Sequence, residues 1–238
     1  MNYQSQLFYK QQEVVNNLKR LGGIVPEETL PILGCEKPYF YRNKIEFSFS
    51  ETRWLTPEEI ASKETIDSRN GLGFHIAGAW DKVLDIHKCH LQQDPSNAIR
   101  NTLKAYALSQ GYTFYNPRTH TGWLRTIMIR ITSLGELMVV IQFLEEQQHE
   151  REQLLDYLLA QFPQITSLQY IINNKPNDTI YDQEVICYHG RDFIYEQMEG
   201  LRFKINAKSF FQTNSTQAYE LYKVTRDFAA LTGEELVY

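Results

Sequence analysis

Ile45, Phe47 and Phe49 alternate with Lys44, Glu46 and Ser48, and this change to a period of two after Tyr39 constrains the chain more than any other feature. Side chains that alternate between opposite faces describe a half-buried strand, and such a strand needs neighbours. The neighbours follow in order. Residues 71–77 and 82–86 read as two strands turned by Gly78, Ala79, Trp80 and Asp81. Residues 124–131 and 136–143 form a short-loop hairpin, and 168–172, 179–188, 192–197 and 201–205 complete the set. Two helices interrupt them. Asp94 as N-cap and Pro95 at the first helical position open one that runs through Ala107 and is closed by Gly111; the other spans 148–161 with Leu154, Leu155, Leu158 and Leu159 inside. Residues 51–70, rich in Glu, Ser and Thr, are expected to be irregular. Antiparallel strands interrupted by two helices predict an α+β fold.

The two ends carry helices of their own. Residues 4–21 place Leu7, Val14, Leu18 and Leu21 at spacings of three, four or seven, an amphipathic helix stopped by Gly22 and Gly23, with Pro26, Pro31 and Pro38 marking a loop beyond it. Near the other end, LRFKINAKSFFQTN passes from an extended run through Phe210, Phe211 and Gln212 to Asn214. With Gln217, Asn214 makes a capping-box pattern for a helix bearing Ala218, Leu221, Tyr222, Val224, Phe228 and Leu231. After Gly233 a new apolar run starts at Leu236. Many α/β nucleotide-binding domains enter their first strand this way, so the chain is expected to be a piece of a larger protein.

Charge narrows the function classes. A formal charge of −5 is no overall signature of a nucleic-acid binder, but the distribution is uneven. Between residues 94 and 136 there is no carboxylate, while Arg100, Lys104, Arg118, Arg125 and Arg130 fall there with His120, Tyr106, Tyr112, Phe114, Tyr115 and Trp123. Solvated faces and a surface for phosphates and bases both fit this window. Arg42 is in phase with Lys44 on the open face of the first strand, which again fits a solvated face or a polyanion site. Three distant cysteines, Cys35, Cys89 and Cys187, make neither a disulfide framework nor a metal site by spacing. The N-terminus lacks the layout of a signal peptide and no apolar run is long enough for a membrane, so a cytoplasmic protein is expected.

Taken in order, QLFYKQQEVVNNLKRLGGI, YRNKIEFSF, GLGFH with WDKVLDIHKC, LRTIMIRITSLGELMVVIQF and SFFQTNSTQAYELY resemble the S-adenosylmethionine-dependent RNA (uracil-5-)-methyltransferases of ribosomal and transfer RNA. The resemblance covers nearly the whole chain; its most specific pieces are YRNK, DIHKC and FFQTN. It implies three parts. Residues 1–35 are a helix and linker that pack on the methyltransferase domain, 36–200 are a central RNA-binding α+β domain with an antiparallel sheet, and 201–238 open a Rossmann-like methyltransferase domain truncated before its catalytic core. In such enzymes a Cys thiolate adds to C6 of uracil, C5 takes the methyl group, and a carboxylate removes the C5 proton. None of the three cysteines matches that nucleophile, so the chain alone is expected to be inactive.

Residue by residue, the resemblance makes Phe210 the aromatic that stacks at the flipped base and Gln212 an S-adenosylmethionine-binding amide close enough to the base to be shared. Phe211 is expected in the core. Arg42 and Lys44 lie near the RNA, with Arg125 and Arg130 as further phosphate contacts. Cys89 matches the fourth ligand of a [4Fe-4S] cluster whose other three ligands would lie upstream of this chain, so no cluster is expected here. The substrate is expected to be a uridine of 23S ribosomal RNA and the protein a monomer. The alternatives are transfer RNA as substrate, or a stand-alone RNA-binding module without catalysis.

Overall fold

The computed structural model describes residues 1–66 and 68–237, in two compact units, Met1–Phe40 and Tyr41–Tyr238.

In the first unit the helix α1 spans Tyr3–Arg20. The Asn2 side chain caps it by accepting from Ser5 N–H at 2.8 Å, and Lys19 and Arg20 sit in the last turn, where the helix dipole favours cations. The loop after it folds back along the helix. Gln11 donates to the Leu30 carbonyl and accepts from Ile32 N–H, and the Tyr3 hydroxyl accepts from Cys35 N–H. That loop selects the covered face. Tyr3, Leu7, Gln11, Val15 and Leu18 are half-buried, whereas Val14 and Leu21, expected in the apolar stripe, are exposed.

The second unit is built on a seven-stranded sheet in the order β3-β2-β1-β4-β5-β6-β7. Its strands are β1 (Lys44–Ser50), β2 (Gly71–Ile76), β3 (Ala79–Asp85), β4 (Leu124–Ile131), β5 (Leu137–Phe143), β6 (Ser167–Ile172) and β7 (Ile186–Gly190). All neighbours are antiparallel except β5 and β6. These two are parallel because α4 (Gln148–Gln161) carries the chain back between them, as a parallel pair requires. The expected antiparallel sheet is therefore a mixed one.

The sheet is covered on both faces. One face supplies Phe47, Ile127, Ile141 and Leu168 to a core shared with Leu103 of α3 (Ser96–Ser109) and Leu154 of α4. On the other, Met128, Met138, Val140 and Ile171 meet Ile194 and Ile205, which come from a separate hairpin of β8 (Phe193–Met198) and β9 (Leu201–Asn206). Every residue of β4 and β5 is consequently buried, which accounts for the apolar run of β5, broken by Gln142 alone, and leaves Arg125, Thr126 and Arg130 of β4 as buried polar residues. Residues 200 and 201 are neighbours in the β8–β9 hairpin, and α5 (Ser215–Ala229) follows it, capped by the Asn214 side chain on Gln217 N–H.

Three local expectations change. The β2–β3 turn is tighter than expected, centred on Ala77 and Gly78, because Gly78 takes φ 79 and lets β3 begin at Ala79. The strand expected over 179–188 shrinks to β7, and the residues before it form a loop. Within the supposedly irregular 51–70 lies α2 (Pro57–Ser62), with Thr56 and Glu59 in a capping box and Pro57 in the first turn. Glu59 also pairs with Arg53, and these hydrogen bonds lower its pKa from 4.5 to about 2. A depressed carboxylate stabilises above its unfolded pKa and loses that contribution as pH falls through the folded value. Protection of the 56–62 amides, taken relative to intrinsic exchange at each pH, is therefore expected to fall between about pH 4.5 and pH 2, and protection that persists at pH 2 would contradict this cap.

Candidate nucleic-acid interface

Asn43 ties the start of β1 to the FFQTN segment. Its backbone N–H donates to the Thr213 carbonyl at 2.7 Å, and its side-chain amide donates to the Gln212 carbonyl at 2.8 Å and to the Ser215 hydroxyl at 2.7 Å. YRNK and FFQTN, far apart in sequence, are thus one local structure. Glu196 reinforces the junction from β8, accepting from Ser133 N–H and from the Ser215 hydroxyl.

Around this junction opens a cleft of about 270 Å³, bordered by Lys44, Glu46, Arg130, Tyr181, Lys208 and Phe210. The strand register places Lys44 directly opposite Arg130, with Glu46 opposite Met128. Lys44 is held by Glu46 at 2.7 Å across the strand face. Arg130 is buried, donates to the Ser209 carbonyl at 2.5 Å, and leaves Nε without a partner among the described residues. Burial lowers its pKa, opposed by Glu46 and Tyr181. Lys208 is turned to the Tyr181 and Gln183 carbonyls, which shapes the far wall.

The two phenylalanines part company. Phe210 stands 83 % exposed at the rim, whereas Phe211 is half-buried beside Phe203 at 5.6 Å and packs on the Ile194–Ile205 cluster. An exposed ring beside cations is free to meet a π-face. Gln212 is exposed next to them. Arg42 lines an adjoining groove with Lys44, Phe74, Leu91 and Thr213, its Nε donating to the Lys44 carbonyl. Phe210, Arg130 and Lys44 therefore share one cleft, with Arg42 and Gln212 at its edge.

Arg125 does not join them as a solvent-facing cation. Its side chain is fully buried, donating to the carbonyls of Asn173, Lys175 and Asn177 and to Asp178 Oδ1 at 2.6 Å, with the guanidinium 4.3 Å from the Tyr115 ring centroid. Strict alternation would put Arg125 in phase with Ile127 and Ile129. A bulge between Leu124 and Thr126 breaks that phase, and the guanidinium becomes the hub of the 173–178 loop. The expected basic aromatic window disperses likewise: Phe114 and Trp123 are core residues, Arg100 is buried over Phe47, and Tyr106 stacks on Tyr157 of α4.

Cys89 is a buried core thiol in a loop clamped by Asn97, which accepts from Cys89 N–H and donates to its carbonyl. One thiol does not fit a four-thiolate cluster, and among the described residues no three His, Cys, Asp or Glu side chains converge on a metal position. Gln212 alone does not build an S-adenosylmethionine pocket. Among the described residues no helix is long and apolar enough to cross a membrane.

No protein-family profile matches the chain. Curated relatives do. Proteins named as uncharacterized RNA methyltransferases are 54 % identical over 239 residues in Bacteroides thetaiotaomicron, covering 99 % of this chain and 53 % of that protein, and 54 % identical over 241 residues in Porphyromonas gingivalis, covering 99 % and 52 %. A third, in Chlorobaculum tepidum, is 34 % identical over 242 residues, covering 100 % and 50 %. Among solved structures, the Pyrococcus abyssi tRNA (uracil-54, C5)-methyltransferase in complex with S-adenosyl-L-homocysteine matches with a TM-score of 0.67 and 25 % identity, over 95 % of this chain and 49 % of that one. By sequence and by fold the chain is similar to proteins named RNA methyltransferases, and it spans about half the length of the relatives it matches.

Proposed function

We propose that this chain is the RNA-holding part of an enzyme that methylates C5 of a uridine with S-adenosylmethionine. The observation that carries the reading is the cleft in which the exposed Phe210 ring stands beside Lys44 and Arg130. The chain's own residues have definite tasks in it. Lys44 and Arg42 meet phosphates, Arg130 fixes the Ser209 turn that presents Phe210, and Phe210 replaces the stacking that a flipped uracil loses. Gln212 is assigned to the edge shared by base and cofactor. S-adenosylmethionine, when bound, supplies the methyl group; no cysteine borders this cleft, so the thiolate nucleophile is assigned outside it. The chain alone therefore binds RNA without methylating it, as a cytoplasmic monomer.

A uridine of 23S ribosomal RNA is the first substrate reading. Transfer RNA is the second, favoured by the transfer-RNA enzyme among the similar structures. Mapping 5-methyluridine in both RNAs from cells lacking the gene separates them. Binding is tested on the chain itself by titrating RNA at several salt concentrations. Replacing both Arg42 and Lys44 by alanine is expected to weaken affinity about tenfold and to make the salt dependence shallower by roughly one to two counterions. Unchanged affinity with an unchanged slope would remove this strand face from the RNA site.

A further inference from the structure

A second cleft, of about 290 Å³, lies farther along the same strand. Lys44 and Glu46 border the first cleft, and Ser48 and Ser50 border the second. The four alternate with the buried Ile45, Phe47 and Phe49, so they belong to one face of β1. Two residues of strand cover about 7 Å, which makes the clefts immediate neighbours, and Asp178 borders both.

The walls of this cleft differ in chemistry from those of the first. Trp80 of β3 contributes an indole that is 61 % exposed, forgoing much of the burial that a side chain of its size normally gains. It is not loose: the Arg118 guanidinium lies 5.6 Å from the ring centroid and is itself held by Asp81 at 2.6 Å. His75 comes from β2, and Tyr115 and His120 from the loop before β4. Tyr115 Oη is hydrogen-bonded to His120 Nδ1 at 2.9 Å, and Nε2 has no partner among the described residues. His120 sits at φ 54, a left-handed conformation uncommon for a residue with a Cβ.

Charge decides what such a site would hold. The one arginine among the residues bordering it, Arg125, is neutralised by Asp178, and Arg118, which lies over the Trp80 ring, is paired with Asp81. Arg125 is fully enclosed, so the residues bordering this cleft present a phosphate with no solvent-facing Lys or Arg, whereas Lys44 in the first cleft stays partly exposed in its pair with Glu46. What it offers is an exposed π-surface, an imidazole nitrogen and the Ser48 hydroxyl, Ser50 being buried and bonded to Thr52, the combination with which proteins stack an unpaired base and read its edge.

We propose that this second cleft holds an unpaired nucleobase of the RNA, stacked on Trp80 and contacted at its edge by His120 and Ser48, next to the base at Phe210. The inference rests on the RNA-binding reading above and adds a subsite to it. The RNA would then cross the sheet face as at least two unstacked nucleotides.

The test uses the 238-residue chain carrying Trp54→Phe. This removes the other exposed indole and leaves Trp80 as the solvent-accessible reporter, since Trp123 is buried. Two probes of equal length are titrated, an oligouridylate and an abasic oligonucleotide with the same backbone. The oligouridylate is expected to quench the tryptophan emission and the abasic strand is not. Trp80→Ala is expected to lower affinity for oligouridylate about tenfold while leaving abasic binding and its salt slope unchanged, and Trp80→Phe, which keeps a stacking ring, should retain most of the affinity. Equal losses for both probes, or no loss for either, would overturn the subsite. If Trp80→Ala binds oligouridylate like wild type while the Arg42 and Lys44 double variant does not, only the second cleft is wrong; if wild type binds neither probe, the RNA reading falls with it.

Discussion

Arg125→Ala is expected to lower the unfolding free energy by about 3 kcal/mol, read as a shift of the urea midpoint at constant m-value. The fully buried guanidinium donates to three carbonyls and one carboxylate. Alanine removes every one of these donors, and the carbonyls of 173–177 lose charged partners that no neighbour replaces. Asp178 is itself about half exposed, so it can turn to water and the cost stays at the low end for a broken buried pair. Lysine should rescue little, because a single ammonium cannot span acceptors that a planar fork reaches together. A loss below about 1 kcal/mol with weaker RNA binding would show that Arg125 serves phosphate rather than the loop.

Phe211→Ala is expected to cost about 2 kcal/mol, since its ring packs on Phe203 and the Ile194–Ile205 cluster and leaves a void when removed. Phe210→Ala, one residue away, should change stability by less than about 0.5 kcal/mol, because an 83 % exposed ring has little burial to lose. Its effect is expected on RNA instead, about tenfold in affinity through lost stacking. Denaturation and RNA titration of the two variants together check the assignment. The reverse pattern would exchange their roles.

How much of this was legible beforehand varies with the element. The alternation of Lys44 to Ser50 was fully readable, because β1 carries apolar side chains on one face and mostly polar ones on the other. The limits of α4 were readable from its leucines. The parallel pairing of β5 with β6 was not, since a strand buried on both faces has no period to betray its neighbour. Thr56-Pro57-Glu58-Glu59 carried a helix-start signature of its own, but the polar composition of 51–70 outweighed it. The burial of Arg125 has no such signature, because a bulge shifts its phase and a bulge leaves no mark in a single sequence. The grouping of Phe210 with Lys44 and Arg130 depends on the register of β1 against β4, and the grouping of Trp80 with His75 and His120 on three separate segments. Neither has a local signal.

The Asn43 bonds reach across 169 residues to Gln212 and 172 to Ser215, among the longest sequence separations bridged by a side chain in this unit. Closing a loop of that size is entropically costly, and it is rewarded only once β1 has found β4 and the β8–β9 hairpin has docked. The rim that carries Phe210 is therefore expected to assemble late in folding and to open early in unfolding. In native-state hydrogen exchange, amides of 207–213 should exchange at lower opening free energies than those of β4 and β5. Under the proposed function, base capture would then be coupled to the ordering of this rim, so that both draw on a single equilibrium.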